Sequence, residues 1–164
     1  MDKNEKSGFT LVEVVCVLAI IGIIMATVIP AINQMTRVKK LDISVKALVN
    51  DLRFAKMYAV SRNVTSVFVR FKGDVSTGIY TGYKIYYPNN IQHPNLKDVL
   101  FNEGIIVDGW SSTFSNVSGE NVIEFKNDGG VYPACTIVLK DSLSGEKKNI
   151  TLTIGYTRIM EVRK

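Results

Sequence analysis

Apolar and polar residues divide the chain into two regions with different periodicity. Residues 1–8 are mainly polar, and Phe9–Ile32 follows as 24 residues in which Glu13 carries the only charge. At about 1.5 Å per residue this run spans roughly 36 Å as a helix, enough to cross a hydrocarbon core of about 30 Å. We therefore expect 9–32 to be a transmembrane helix. A secretory signal peptide is disfavoured because the polar leader is short and Gly8 precedes the apolar run.

Residues 33–62 carry the periodicity of an amphipathic helix. Apolar residues recur every three or four positions, which predicts one buried stripe facing a sheet. The expected buried positions are Leu41, Val45, Leu48, Leu52 and Ala55, and the expected solvent-side positions are Lys40, Lys46, Asp51, Arg53 and Lys56. With 9–32, this segment would form a single long helix that ends near Asn63.

After Asn63 the pattern changes to short strands separated by turn residues. Tight turns and the lack of a second set of helices indicate antiparallel pairing. The predicted strands are 64–72, 79–87, 104–107, 121–126, 135–140, 149–154 and 158–163. We therefore expect an α+β fold in which one long N-terminal helix packs on an antiparallel β-sheet, with 63–164 as a β-rich globular domain.

Composition narrows the class of protein. The 164 residues suit one domain plus an anchor, and 46% hydrophobic residues exclude wholesale disorder. The formal net charge of +5 permits contact with phosphates without requiring it. Cys16 and Cys135 lie far apart in sequence, so a disulfide-stapled scaffold is excluded and both are expected to be small apolar fillers.

Glu13 is the residue that a plain anchor does not explain. A carboxylate at the centre of a membrane helix costs about 2.5–3.5 kcal/mol on insertion scales, although an acid near the helix end can reach the interface. If a protease cut between Gly8 and Phe9, the new α-amino group would be cationic and one helical turn from Glu13. That acid could then neutralise the amine of its own chain or of a neighbouring chain, and so set the register of a helix bundle.

The segment Lys6–Glu13 (KSGFTLVE), followed by the apolar run, resembles the class III signal of type IV pilins and pseudopilins. The resemblance implies that prepilin peptidase cuts the leader 1–8 after Gly8 and that Phe9 is N-methylated. It also implies that Glu13 guides filament assembly and that Pro30 kinks the helix. The expected partners are prepilin peptidase, other pilins and the inner-membrane assembly platform. The chain would be a single-pass protein of the cytoplasmic membrane with its C-terminal domain outside.

The C-terminal third carries a second resemblance, to H-type minor pseudopilins and FimT-like pilins. The matching residues are Phe125, Gly129-Gly130, Thr136–Leu139, Ser144-Gly145, Ile150–Thr153 and Gly155–Ile159. Tyr156 departs from the pattern, because relatives tend to have arginine there. The resemblance implies a minor structural subunit of a type IV pilus or a type II secretion pseudopilus, and it leaves these two systems undistinguished.

The sequence predicts no catalytic, cofactor-binding or metal site. His93 is the only histidine, and the chain has neither a Gly-x-Ser-x-Gly elbow nor a Cys/His cluster. At 127–130 the residues Asn-Asp-Gly-Gly favour a hairpin turn over a calcium loop, since the ligand spacing of an EF-hand is absent. We therefore expect a protein that is not an enzyme.

Two alternatives remain open at this point. The first is a DNA-uptake pilin that contacts phosphates through a basic C-terminus formed by Arg158, Arg163 and Lys164. A solvated edge strand explains the same charges. The second is a membrane-tethered enzyme or binding module with an uncut anchor.

The DNA alternative makes a direct prediction for residues 33–164 in a gel-shift assay with duplex DNA. If the basic C-terminus binds phosphates, the double substitution Arg158→Ala plus Arg163→Ala should weaken binding at every sequence tested, because phosphate contacts carry no base information. Binding that is indifferent to the double substitution would remove this site.

Overall fold

A computed structural model describes residues 10–88, 95–114, 116–117, 120–153 and 159–162. The chain divides into two compact units, Met1–Thr36 and Arg37–Lys164. Helix α1, Leu11–Ser61, contributes to both units. The strands are β1 Ser66–Asp74, β2 Ile79–Tyr86, β3 Asn95–Leu100, β4 Ile105–Asp108, β5 Asn116–Val117, β6 Glu120–Lys126, β7 Val131–Tyr132, β8 Cys135–Asp141, β9 Lys147–Leu152 and β10 Ile159–Val162.

The C-terminal end of α1 is fixed by a left-handed residue. Asn63 has φ of 48°, a conformation that asparagine tolerates better than most residues. Its backbone N–H donates to Val60 at 3.2 Å, and the N–H of Val64 donates to Ala59 at 3.1 Å. These bonds satisfy carbonyls that the last helical turn would otherwise leave open. The predicted stop near Asn63 is confirmed.

The second unit is built around an antiparallel sheet. The strand order is β10-β9-β8-β4-β2-β1-β6-β5, with β3 paired to β2 and β7 paired to β6. All pairings among the described strands are antiparallel. One face of this sheet receives the amphipathic part of α1, so the predicted α+β architecture of a helix packed on an antiparallel sheet is confirmed.

The core of the second unit forms where the apolar stripe of α1 meets the sheet. The five predicted stripe positions are fully buried: Leu41, Val45, Leu48, Leu52 and Ala55. On the sheet side β1 alternates as predicted, with Val67, Val69 and Phe71 pointing inward. The periods of 3.6 and 2 therefore identify the two surfaces that bury each other.

Asp51 corrects the expectation for the helix surface. Asp51 was expected on the solvent side of α1, but it is only 7% exposed. The Tyr83 hydroxyl donates to its Oδ2 at 2.6 Å, and the Lys97 ammonium donates to its Oδ1 at 2.5 Å. Burial and the Asp51 carboxylate both raise the pKa of Tyr83, so this hydroxyl keeps its proton and remains a donor. A buried carboxylate is tolerated here because both of its oxygens are bonded.

Three strands were not predicted: β3, β5 and β7. The last two are only two residues long, and in β3 the apolar residues Leu96, Val99 and Leu100 do not alternate with the polar ones. Strand β3 pairs with residues 82–86 of β2, while β4 pairs with residues 79 and 80. A Cβ at Gly82 would lie 2.4 Å from the carbonyl oxygen of Val99, so this pairing requires glycine.

Trp110 lies against the turn between β1 and β2. Its indole N–H donates to the Thr77 carbonyl at 2.9 Å, while the residue remains 77% exposed. Gly78 has φ of 66°, and a Cβ there would lie 2.5 Å from the indole nitrogen. The turn therefore requires glycine both for its backbone conformation and for the indole contact.

The buried carboxylate yields a stability prediction. Asp51→Ala should lower the free energy of unfolding by about 2–3 kcal/mol, because it leaves the buried Tyr83 hydroxyl without an acceptor. Asp98→Ala is the matched control, since its ion pair with Lys72 is exposed and should be worth about 0–1 kcal/mol. Urea unfolding of the two variants, followed by circular dichroism, measures the difference. Equal losses would contradict the role assigned to Asp51.

Candidate functional site

The first described turn of α1 contains the only charged side chain between Thr10 and Thr36. The Thr10 hydroxyl accepts a hydrogen bond from the backbone N–H of Glu13 at 3.3 Å. The Thr10 carbonyl accepts the N–H of Val14 at 3.3 Å. Thr10 is therefore the N-cap of the helix, and Glu13 occupies the third helical position.

This geometry shows a helix cap at Thr10 that the sequence analysis did not predict. Threonine followed three residues later by glutamate, ahead of an apolar run, is the sequence signature of a capping box. A carboxylate in the first turn also stabilises the positive end of the helix dipole by about 0.3–1 kcal/mol. The signal lay in the spacing of Thr10 and Glu13, so it was available from sequence alone.

The large apolar side chains of the first unit whose burial is described lie at the surface of the chain. Leu11 is 83% exposed, and the large apolar residues from there to Ile32 for which burial is described are all exposed. Counting only the residues that the structure describes, no helix is both long enough and apolar enough to cross a membrane. The described residues of its own unit leave this surface uncovered.

The predictions for Gly8, Phe9 and Pro30, the other residues of the processing and assembly motif, are not tested by the structure. Gly8 and Phe9 lie outside the described residues, so cleavage and N-methylation there stay predictions. The helical assignment of α1 continues through position 30. A kink at Pro30 also stays a prediction.

The predicted basic C-terminus is only partly described. Strand β10, Ile159–Val162, pairs with β9, but Arg158, Arg163 and Lys164 lie outside the described residues. DNA contact through these three residues therefore stays a prediction. His93 lies outside the described residues too.

The turn at 127–130 joins β6 to β7 as a hairpin, as predicted. The carboxylate of Asp128 accepts the N–H of Gly130 at 2.7 Å, and Gly129 has φ of 82°. Among the described residues, no three histidine, cysteine or acidic side chains are placed to hold a metal ion.

The two cysteines differ in their surroundings. Cys135 is buried, and burial raises the pKa of its thiol to about 12, so the reactive thiolate is suppressed. This agrees with the expected apolar filler. Cys16 is exposed on the apolar surface of α1, and its expected role as an apolar filler stays a prediction.

Two family models match the chain. The model described as "Prokaryotic N-terminal methylation motif" matches residues 3–29, and the model described as "Type II transport protein GspH" matches residues 44–155. No curated protein matches the chain.

Two solved structures share the fold. The chain is similar to the type IV minor pilin FimU of Pseudomonas aeruginosa in two crystal forms. For the P21 form the TM-score is 0.56 at 15% identity, covering 79% of this chain and 92% of that one. For the P65 form the TM-score is 0.53 at 15% identity, covering 74% and 92%. At this identity the likeness establishes the fold, and it confirms the pilin-like α+β architecture.

The N-cap makes a local prediction. Thr10→Ala should weaken the first turn by about 1 kcal/mol, because the Glu13 N–H loses its acceptor. Exchange of that amide, measured by NMR on the full chain in detergent, should become roughly fivefold faster. Thr36→Ala is the control, since the Thr36 hydroxyl donates to Ile32 within the helix and caps no terminus. An unchanged exchange rate in Thr10→Ala would exclude the cap.

Proposed function

The chain belongs to the family of type II transport protein GspH, and from this premise we propose that it is a minor structural subunit of a type IV pilus or a type II secretion pseudopilus. It is inserted in the cytoplasmic membrane and then assembled into a filament through α1. Its role is mechanical, and it catalyses no reaction.

The observation that carries this proposal is the uncovered apolar surface of the first unit. Its large apolar side chains from Leu11 onward are exposed in the isolated chain, and each buried CH₂ group is worth about 0.8 kcal/mol. Such a surface needs a lipid environment before assembly and neighbouring helices after it. The same helix can contact lipid and then neighbouring helices, because outside its first turn neither contact requires a polar partner.

Glu13 supplies the specificity that apolar contact lacks. Packing of uniformly apolar helices defines register poorly, since a shift of one turn exchanges one aliphatic contact for another. We place the cut between Gly8 and Phe9, which creates a methylated, cationic amine near Glu13 of the same or a neighbouring subunit. In a low dielectric a misaligned pair would leave a charge without its counter-ion, at high cost.

The proposed partners and location follow from this assembly route. Prepilin peptidase removes residues 1–8 at the cytoplasmic face, and the inner-membrane platform passes the subunit into the filament. The second unit lies outside the membrane, on the side opposite the leader. The match to a type II transport family and the likeness to a type IV minor pilin support a filament subunit equally in either system.

The test is the fate of a Glu13→Val variant in cells that produce the filament. Processing should survive, because the cut site is intact, and mass spectrometry should find a mature chain that begins with methylated Phe9. Incorporation into sheared filaments should fall at least about tenfold, equivalent to a loss of about 1.4 kcal/mol of preference for the correct register.

Val14→Leu is the matched control, since it alters the neighbouring position without touching a charge. It should be processed and incorporated normally. Normal incorporation of Glu13→Val would remove the register role of Glu13. A mature chain that begins at Met1 in cells with active prepilin peptidase would instead favour a membrane-tethered enzyme or binding module.

A further inference from the structure

A cleft of about 220 Å³ lies within the second unit, between α1 and two turns of the sheet. Arg37 and Lys40 line it from the helix, while Glu103 and Gly104 line it just before β4. A water molecule needs only about 10–15 Å³ of such space. The cleft therefore has room for a polyatomic group.

Asp141, at the end of β8, also lines the cleft, and its carboxylate is occupied within the protein. The residue is only 3% exposed, its Oδ1 accepts the N–H of Leu143 at 3.0 Å, and its Oδ2 accepts the Ser144 hydroxyl at 2.8 Å. The backbone bond from Leu143, followed by further bonds from Ser144 and the charge of Arg37, holds its pKa below the usual range. Asp141 is thus a fixed anion that shapes the turn at the cleft.

The remaining charges of the cleft have opposite signs on opposite walls. Arg37 and Lys40 are one helical turn apart on α1, and Glu103 lies across the cleft on the segment before β4. In the part of the chain that the structure describes, neither Lys40 nor Glu103 has an ion-pair partner within 4 Å. Two cations on one wall and one carboxylate on the other match a ligand that carries an anion beside an ammonium group.

We propose that this cleft binds a phosphodiester bearing a primary ammonium, the chemistry of a phosphoethanolamine headgroup. Arg37 and Lys40 would contact the phosphate, because guanidinium and ammonium groups donate strong charge-assisted hydrogen bonds to phosphate oxygens. Glu103 would accept hydrogen bonds from the ligand's ammonium. Arg37 follows the end of the apolar run at Ile32 by five residues, so a membrane lipid is the natural source if the proposed membrane insertion holds.

The test titrates the full chain, held in uncharged maltoside micelles, with soluble glycerophosphoethanolamine. The amide signals of Gly104 and Leu143, followed by NMR, should shift in a saturable manner. Lys40→Gln should weaken binding roughly tenfold, about 1.4 kcal/mol. Lys39→Gln is the matched control, because this neighbouring exposed lysine does not line the cleft.

Glu103→Gln separates a zwitterion site from a simple anion site. It should retain affinity for glycerol phosphate and lose the preference for glycerophosphoethanolamine, whereas Glu146→Gln, at an exposed position in the turn after β8, should change neither. Absence of a saturable shift would overturn the proposal. So would equal binding of inorganic phosphate that does not depend on Glu103.

Lipid nanodiscs identify the source of the headgroup. Phosphatidylethanolamine should shift the same two amides, and phosphatidylcholine should not, because its trimethylated ammonium has no N–H to donate to Glu103. A shift with the free headgroup alone would overturn the assignment to lipid. The micelle titration requires neither cleavage nor filament assembly, so its failure is distinguishable from failure of the assembly function.

Discussion

The constraint on which the structure depends is that one helix must satisfy two different surroundings. From Leu11 to Ile32 its large apolar side chains are exposed within their own unit, whereas from Leu41 to Ala59 a single stripe is buried by the sheet. The second half is satisfied within the chain, because apolar residues of β1, β2, β6, β8 and β9 cover that stripe. The first half has no such cover among the described residues of its own unit, and the proposed membrane insertion and filament assembly would supply it.

Polar contacts of α1 define its position along the sheet and its first residue more closely than apolar contacts alone would. In the second unit Asp51 joins α1 to β2 through Tyr83 and to β3 through Lys97, and a shift of the stripe along the sheet would break both bonds. At the start of α1 the Thr10 hydroxyl caps the helix, and the Glu13 carboxylate in the first turn stabilises the positive end of the helix dipole. The cap and the proposed pairing with a new amine are compatible, because the cap uses the backbone N–H of Glu13 and leaves its carboxylate available.

Much of the fold was predictable because it follows periodicity. The recurrence of Leu41, Val45, Leu48 and Leu52 identified the buried stripe, and alternation identified β1. The resemblance of the first residues to the pilin and pseudopilin family is confirmed, as is the pilin-like fold. Strand β3 was missed because its apolar residues, Leu96, Val99 and Leu100, do not alternate with its polar ones. It also lies off the sheet's main strand order and, among the described strands, pairs only with β2.

The candidate site was predictable only in part. Asp51 was misplaced because its buried environment arises from Tyr83 and Lys97, which are 32 and 46 residues away in sequence. No local pattern on the helix reports such partners. Similarly, the cleft beside Arg37 and Lys40 is formed by residues from three separate segments, and no local pattern indicates that Glu103 and Asp141 lie near these two residues of α1. The cap at Thr10, by contrast, depends on a spacing of three residues and could have been read directly.

The position of Trp110 has a consequence for how the molecule can be observed. It is the only tryptophan in the chain, its indole is largely solvated, and it is held by the β1–β2 turn outside the core. Its fluorescence therefore reports on that turn, and loss of the core would change its emission little. The seven tyrosines together report better on the core, because Tyr80 and Tyr83 are buried and Tyr83 bonds α1 to the sheet through Asp51.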